Sequence, residues 1–252
     1  RLDTNLILDV RDVSFGPGEH FVERWSRFAN MNPPGLRDAP TAVGADTVQA
    51  SVIEVLEPWR QDLDTWLAAC GLSGKTLHLI QAGNKRTMRS GRRDRVTNTK
   101  YWPEQHWAQV IRHIRQSSPD SAIVLLGTPG ESELNDDIIR LADIGDAYNA
   151  ARELPIPRLF ALMERAATLV TVDSGPAHAG AAVGCPQVVL FGQADPGLYR
   201  PWGATGAPAH CLVGSVDGQR NMLGIAPDSV IEAWASLPRL RAPLAVTGLT
   251  LT

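Results

Sequence analysis

The chain has 252 residues, 44% of them hydrophobic and 20% charged, with a formal net charge of −3. That is enough apolar material for one or two globular domains, and it excludes a disordered tail. The small negative charge, with no basic run extending along the whole chain, excludes a general nucleic-acid binder.

Cys70, Cys185 and Cys211 are odd in number, far apart and in no CxxC spacing, which fits a reducing compartment. No stretch approaches the roughly 18 apolar residues of a membrane-spanning helix, and the first twenty residues lack the basic start and apolar core of a signal peptide. A cytoplasmic protein is expected.

In chain order, Asn5 to Val10 (NLILDV) predicts a buried strand, and Glu19 to Met31 carries Phe21, Trp25, Phe28 and Ala29 as a helical stripe. One strand and one helix cannot bury a core alone, so this piece reads as the remnant of a larger first domain. Pro33-Pro34-Gly35 opens a stretch rich in Pro, Gly, Ala and Asp that reads as a linker up to Val48. Leu63, Trp66, Leu67 and Cys70 then fall at helical spacing and are closed by Gly71. The segment Gly71 to Thr76, GLSGKT, lacks the leading glycine of a phosphate loop, since Ala69 stands there, and a helix rather than a strand precedes it. It reads as an ordinary turn.

From Thr76 the pattern alternates. Strands are predicted at Thr76 to Gln81, Ala122 to Leu126, Thr168 to Val172, Gln187 to Phe191 and His210 to Val213. Helices are predicted at Pro103 to Arg115, Glu133 to Ala142, Pro157 to Ala167, Ala177 to Val183 and Pro227 to Ser236. Such alternation implies a parallel, doubly wound sheet with helices on both faces. The expected organisation is residues 1–48 as an N-terminal α/β remnant and linker, 49–240 as a Rossmann-like domain, and 241–252 as a tail.

Two stretches carry candidate chemistry. Asp173-Ser174-Gly175-Pro176 punctuates a strand and a small-residue helix. Gly175 permits close backbone approach, Pro176 suits the first helical position, and the next amides together with His178 form an end that suits phosphate. The plainer reading is that Asp173 or Ser174 caps the helix and His178 is a surface side chain. Between Gly83 and Trp102, NKRTMRSGRRDRVTNTKY sets Lys85, Arg86, Arg89, Arg92, Arg93, Arg95 and Lys100 against the single Asp94. This run reads either as a solvated loop or as an anion-binding rim beside the DSGPAH turn, because ligands of open parallel sheets sit at the carboxyl ends of strands.

The run VDSGPAHAGAAVGCPQVVLFGQADPGLYRPWG resembles the donor-binding segment of glycosyltransferase family 9, the ADP-heptose:lipopolysaccharide heptosyltransferases. The family's pattern is approximately D-[ST]-G-x-x-H, A-A, G-x-P and [FY]-G-x-[TA]-D-P. Lys100-Tyr101-Trp102-Pro103 is similar to its K-x-W-P, following a small-residue turn at Gly83 and Asn84.

The resemblance implies a GT-B fold of two Rossmann-like domains, of which this sequence holds mainly the donor half. It implies an inverting, metal-independent transfer of heptose from ADP-heptose to a lipopolysaccharide core or related anionic glycan or glycolipid. Any membrane association would be peripheral, at the inner face of the inner membrane. Asn84, Lys100, Asp173, Ser174, Gly175, Pro176 and His178 would then hold donor phosphate, and Asp195 would shape the neighbouring loop. Glu131 would hold the nucleoside, with Glu133 as rival, although either acid also suits a helix start. The family's catalytic base is an Asp near the start of the first domain; no stretch here matches it, and neither Asp9 nor Asp12 is assigned the role. The arginine-rich insertion departs from the family, as does Ala179-Gly180 where Leu-Ala is usual. Arg89, Arg92, Arg93 and Arg95 are candidate contacts to the acceptor's phosphate or carboxylate groups. A catalytically incomplete nucleotide-sugar-binding module and a GT-B enzyme using another nucleotide sugar stand as alternatives.

Overall fold

The computed structural model describes residues 6–36, 50–90 and 98–238, apart from the side chains of residues 12 and 88–90. It divides into two compact units, one within Arg1–Ala50 with Ala194–Arg200, the other within Ser51–Gln193 with Pro201–Thr252.

In the larger unit a helix, α2 (Glu57–Ala69), leads to strand β1 (Leu77–Gln81). Then follow α3 (Lys85–Ser90), α4 (Glu104–Ser117), β2 (Ala122–Leu125), α5 (Ser132–Ala142), β3 (Tyr148–Asn149) and α6 (Ile156–Arg165). The second half holds β4 (Thr168–Val172), α7 (Gly175–Val183), β5 (Gln187–Phe191), β6 (Ala209–Val213), the pair β7 (Ser215–Val216) and β8 (Gln219–Arg220), and α9 (Pro227–Ser236). In the smaller unit stand α1 (Phe21–Ala29) and the single turn α8 (Pro196–Tyr199).

Six strands form one sheet in the order β3-β2-β1-β4-β5-β6, and every pair is parallel. Its inner strands are buried at every position and mostly apolar because both faces are covered. Alternate residues serve opposite faces: Ile80, Val170 and Val188 pack with Trp107, Ile111 and Trp234, whereas Leu77, Leu79 and Leu169 pack with Leu63, Trp66 and Leu162. Two apolar layers therefore clamp the sheet and leave its strand ends to carry function.

Helix boundaries follow local chemistry. A proline opens α2, α6, α7 and α9, where its missing N–H leaves no intrahelical bond unmade. The helix α7 stops at Gly184, whose φ of 88° lies in the left-handed region. The GLSGKT stretch is a turn between α2 and β1, with Gly71 and Gly74 both at positive φ.

The predicted strand from Asn5 to Val10 is not formed at residues 6–10; Asn5 itself lies outside the described residues. Leu6 and Ile7 are exposed, and Val10–Asp12 makes a 3-10 turn whose start is capped by Asp9 accepting from the Arg11 amide. An apolar run alone cannot hold a strand when no neighbour satisfies its backbone groups. The helix α1 does form, two residues later than its apolar stripe suggests. His20 caps it by accepting from Val22 N, while Glu23 reaches back to His20 N at 2.6 Å. Among the described residues, no helix is long and apolar enough to cross a membrane.

Candidate functional site

Strands β1 and β4 are neighbours, but the chain leaves β1 toward β2 on one side and returns to β4 on the other. This is a topological switch point, where the two connections diverge and leave a crevice beyond the carboxyl ends. A cavity of about 600 Å³ occupies it. Asn84, Lys85, Arg86 and Lys100 line it from the segment after β1, and Asp173, Ser174 and Gly175 line it from the end of β4.

Local bonds fix the β1 side. Asn84 starts α3 by accepting from the Arg86 amide at 3.0 Å, and Thr87 Oγ donates to the Asn84 carbonyl at 2.7 Å. The Asn84 side chain donates to the Lys100 carbonyl, and Asn98 Oδ1 accepts from the Lys100 amide. The Lys100 backbone is thus tied at both faces. Two residues on, Trp102 is 1% exposed and its Nε1 donates to the Ile225 carbonyl at 3.0 Å. The K-x-W-P run therefore anchors one side chain in the core and presents another to the crevice.

On the β4 side, Lys100 Nζ donates to Asp173 Oδ2 at 2.7 Å and to the Asp173 carbonyl at 2.6 Å. The Asp173 side chain is 9% exposed and that of Lys100 is 37% exposed, so this ion pair is only partly screened by solvent. Ser174 takes the N-cap position of α7, but its hydroxyl donates back to the Val172 carbonyl instead of capping. The first turn of α7 thus has no side-chain cap from Ser174, and a Cβ placed on Gly175 would meet nothing within 4 Å. Open backbone at a helix start, beside three cations and one carboxylate, makes a site suited to a dianionic group.

Two glycines make the geometry possible. A Cβ on Gly192 would collide with the Thr99 carbonyl, so only glycine lets the segment before Lys100 lie over the end of β5. A Cβ on Gly83 would collide with the Glu131 carboxylate.

The structure gathers Asn84, Lys100, Asp173, Ser174 and Gly175 around one cavity, with Pro176 directly behind them in α7. His178 is exposed in the first turn of that helix and is not part of the cavity wall. Arg92, Arg93 and Arg95 lie outside the described residues; Arg89 belongs to α3, and its side chain is not described. Asp195 caps α8 by accepting from Gly197 N at 3.0 Å. Lys85 and Arg86 reach the cavity wall, although their sequence marked them only as part of a charge run. The spacing Asn84-x-x-Thr87 was the available sign that a helix starts there.

Glu131 stands behind the wall. It is 4% exposed, closing a capping box with Thr128: Oε2 accepts from Thr128 N at 2.8 Å and from Thr128 Oγ at 3.0 Å. Oε1 accepts from Thr87 Oγ at 3.3 Å. Burial pushes its pKa above the ordinary 4.5, against those three hydrogen bonds. A raised carboxyl pKa means that the folded state holds the proton more tightly than the unfolded chain. Its contribution to stability is therefore complete below about pH 4.5 and is lost as pH rises through the folded value. Glu131→Gln keeps the shape without that titration. Thermal melts across this range should show wild type losing stability with rising pH relative to the variant, and parallel profiles would contradict the assignment.

Residues 89–209 match the model of glycosyltransferase family 9 (heptosyltransferase). Lipopolysaccharide heptosyltransferase 3 of Escherichia coli K12 is 28% identical over 187 residues, 73% of this chain and 47% of that protein. The glycosyl transferase family 9 structure from Veillonella parvula superposes with a TM-score of 0.64 at 21% identity, over 86% of this chain and 59% of that one. An E. coli heptosyltransferase solved with ADP superposes with a TM-score of 0.57 at 18% identity, over 87% of this chain and 57% of that one. Those structural likenesses show a common fold, the GT-B type expected from the sequence. The chain spans about half the length of the curated relatives it matches.

Proposed function

We propose, from the match of residues 89–209 to the model of glycosyltransferase family 9 (heptosyltransferase), that this chain supplies the donor half of a heptosyltransferase. The donor is ADP-heptose, and the acceptor is a lipopolysaccharide core sugar or a related anionic glycan. The observation that carries this reading is the cation-lined cavity at the switch point, where Lys100, Asp173 and the open start of α7 converge.

Transfer breaks the bond between the sugar's anomeric carbon and the diphosphate oxygen, and the departing ADP keeps the electron pair. Attack by the acceptor hydroxyl from the opposite face inverts that carbon. Charge on the leaving diphosphate grows through the transition state, so donors fixed around it stabilise the transition state more than the bound substrate. Lys100 supplies an ammonium, Lys85 and Arg86 add positive charge at the wall, and α7 offers its first amides. With these cations already in place, charge compensation does not call for a metal ion. The proton of the acceptor hydroxyl goes to a base that none of the residues assigned here provides. The nucleoside lies toward β2, where Glu131, Thr87 and Gly83 form one packed unit.

Calorimetric titration with ADP, UDP and GDP, without added metal, tests the reading. Selective ADP binding is the expected result. Equal binding of all three would remove the adenine assignment, and no binding by a folded chain would remove the donor site.

A further inference from the structure

The helix α7 presents its first turn to the crevice, yet its own sequence holds it poorly. Its nine residues span about 13 Å, and helices that short are marginal without tertiary support. Gly180 lies inside the helix, where glycine is the least favoured residue after proline. The buried residues are Ala177, Gly180, Ala181 and Ala182, so the helix brings little apolar area to the sheet. Its position depends on ties from outside.

The end remote from the crevice has several. Cys185 N donates to the Gly180 carbonyl at 2.8 Å, Ile53 N donates to the Ala182 carbonyl at 3.0 Å, and a Cβ on Gly203 would collide with the Ala181 carbonyl. At the crevice end the tie comes from the sheet. Gln187 Nε2 donates to the Ala177 carbonyl at 2.9 Å, two residues beyond the Gly175 that lines the cavity. Gln187 has a rigid base: it opens β5, pairs with Leu169 of β4 and Ala209 of β6, and is fully buried. A Cβ on Gly180 would meet Gln187 Oε1 at 3.3 Å and Leu169 Cδ2 at 3.0 Å. The glycine that departs from the family's Leu-Ala is therefore what gives the carboxamide its room.

Half of that carboxamide works against stability. Oε1 is buried and has no hydrogen-bond partner among the described residues. An orphaned buried acceptor destabilises, and an apolar side chain of similar length would fill the same place without that penalty. Packing therefore does not account for glutamine at position 187; the donor does. A carbonyl oxygen has two lone pairs, so the bond to Ala177 adds to the helical one instead of replacing it. We infer that Gln187 is a positioning residue, which sets the height of the first turn of α7 along the sheet and so holds its amides where the diphosphate meets them. The inference rests on the donor reading for the identity of the ligand. Binding groups have to be held within about 0.5 Å of their productive places, and a bond from the sheet to the third residue of the helix acts at that scale.

The test is Gln187→Met in the full chain, which keeps the length of the side chain and removes both the donor and the orphaned oxygen. Dissociation constants are measured for ADP and for adenosine, and hydrogen exchange of the α7 amides is followed without ligand. The expected result is ADP binding weaker by about fivefold, adenosine unchanged within about twofold, and α7 exchange faster by at least about threefold. Equal losses for ADP and adenosine would mean a general loosening of the fold and overturn the inference, as would unchanged ADP binding or unchanged exchange at α7. Gly180→Ala supplies a second variant whose sign is informative. Helix propensity alone makes it stabilising, whereas pressure on the carboxamide makes it weaken ADP selectively; ADP binding that is unchanged or tighter contradicts the positioning role. A folded wild type that binds no ADP defeats the donor reading, and the role toward phosphate with it, whereas a wild type that binds ADP as tightly as Gln187→Met defeats the role of Gln187 alone.

Discussion

Lys100→Ala is expected to weaken ADP binding by roughly 30-fold, about 2 kcal/mol, while leaving the fold intact. Two effects add in the same direction. The variant removes the ammonium proposed to meet the diphosphate, and it strips Asp173 of the partner that donates at 2.7 Å. The Asp173 carboxylate, with its side chain 9% exposed, then faces an incoming anion without the ammonium that pairs with it. Because the Lys100 side chain is 37% exposed, the lower end of the range for truncated charge pairs applies. The second effect can be separated from the first. Adding Asp173→Asn to Lys100→Ala should restore part of the lost affinity, since it removes the repulsion but not the missing cation. Isothermal titration of the single and double variants checks this, and additive losses would show that the pair does not act on the ligand as a unit.

Trp102→Ala has the largest expected effect on stability, a loss of about 3–5 kcal/mol. The ring is among the largest fully buried side chains, sits edge-on to Trp107 at 4.9 Å, and hydrogen-bonds the Ile225 carbonyl. Truncation opens a cavity and orphans that carbonyl. Trp102→Phe keeps most of the packing and loses chiefly the hydrogen bond, so it should cost only about 1–3 kcal/mol. Urea unfolding of both variants gives the comparison. If the anchor is what holds the neighbouring Lys100 in place, the phenylalanine variant retains ADP affinity near wild type. A destabilisation below about 1 kcal/mol for Trp102→Ala would contradict the packing described here.

The parts of the fold that were legible in the sequence are those with strong local punctuation. Thr168–Val172, Gln187–Phe191 and Pro227–Ser236 match their predicted bounds, because turn residues or prolines close off each apolar run. The NLILDV run failed for the opposite reason. A short apolar segment says that burial is wanted but not what will pair with it, and among the described residues no neighbouring strand satisfies residues 6–10. The Asp217-Gly218 turn was readable in principle, but its flanking strands are two residues each, too short for alternation to register.

For the site, the turn at Asp173 to Pro176 was visible as strand, turn and helix. The pairing of Lys100 with Asp173 spans 73 residues and no spacing rule contains it; sheet topology set the two segments at one rim, and the resemblance singled out Lys100 among the cations there. Glu131 illustrates how two readings can share a residue. It is the acid of a capping box, as helix-start chemistry suggests, and it also packs against Gly83 and Thr87 at the rim.

The most direct test of the central claim is a crystal structure of this chain with ADP. The account predicts diphosphate oxygens within hydrogen-bond distance of Lys100 Nζ and the Gly175 amide, with the nucleoside directed toward β2 and Glu131. ADP bound away from the β1–β4 crevice, or with its phosphates remote from Lys100, would contradict it.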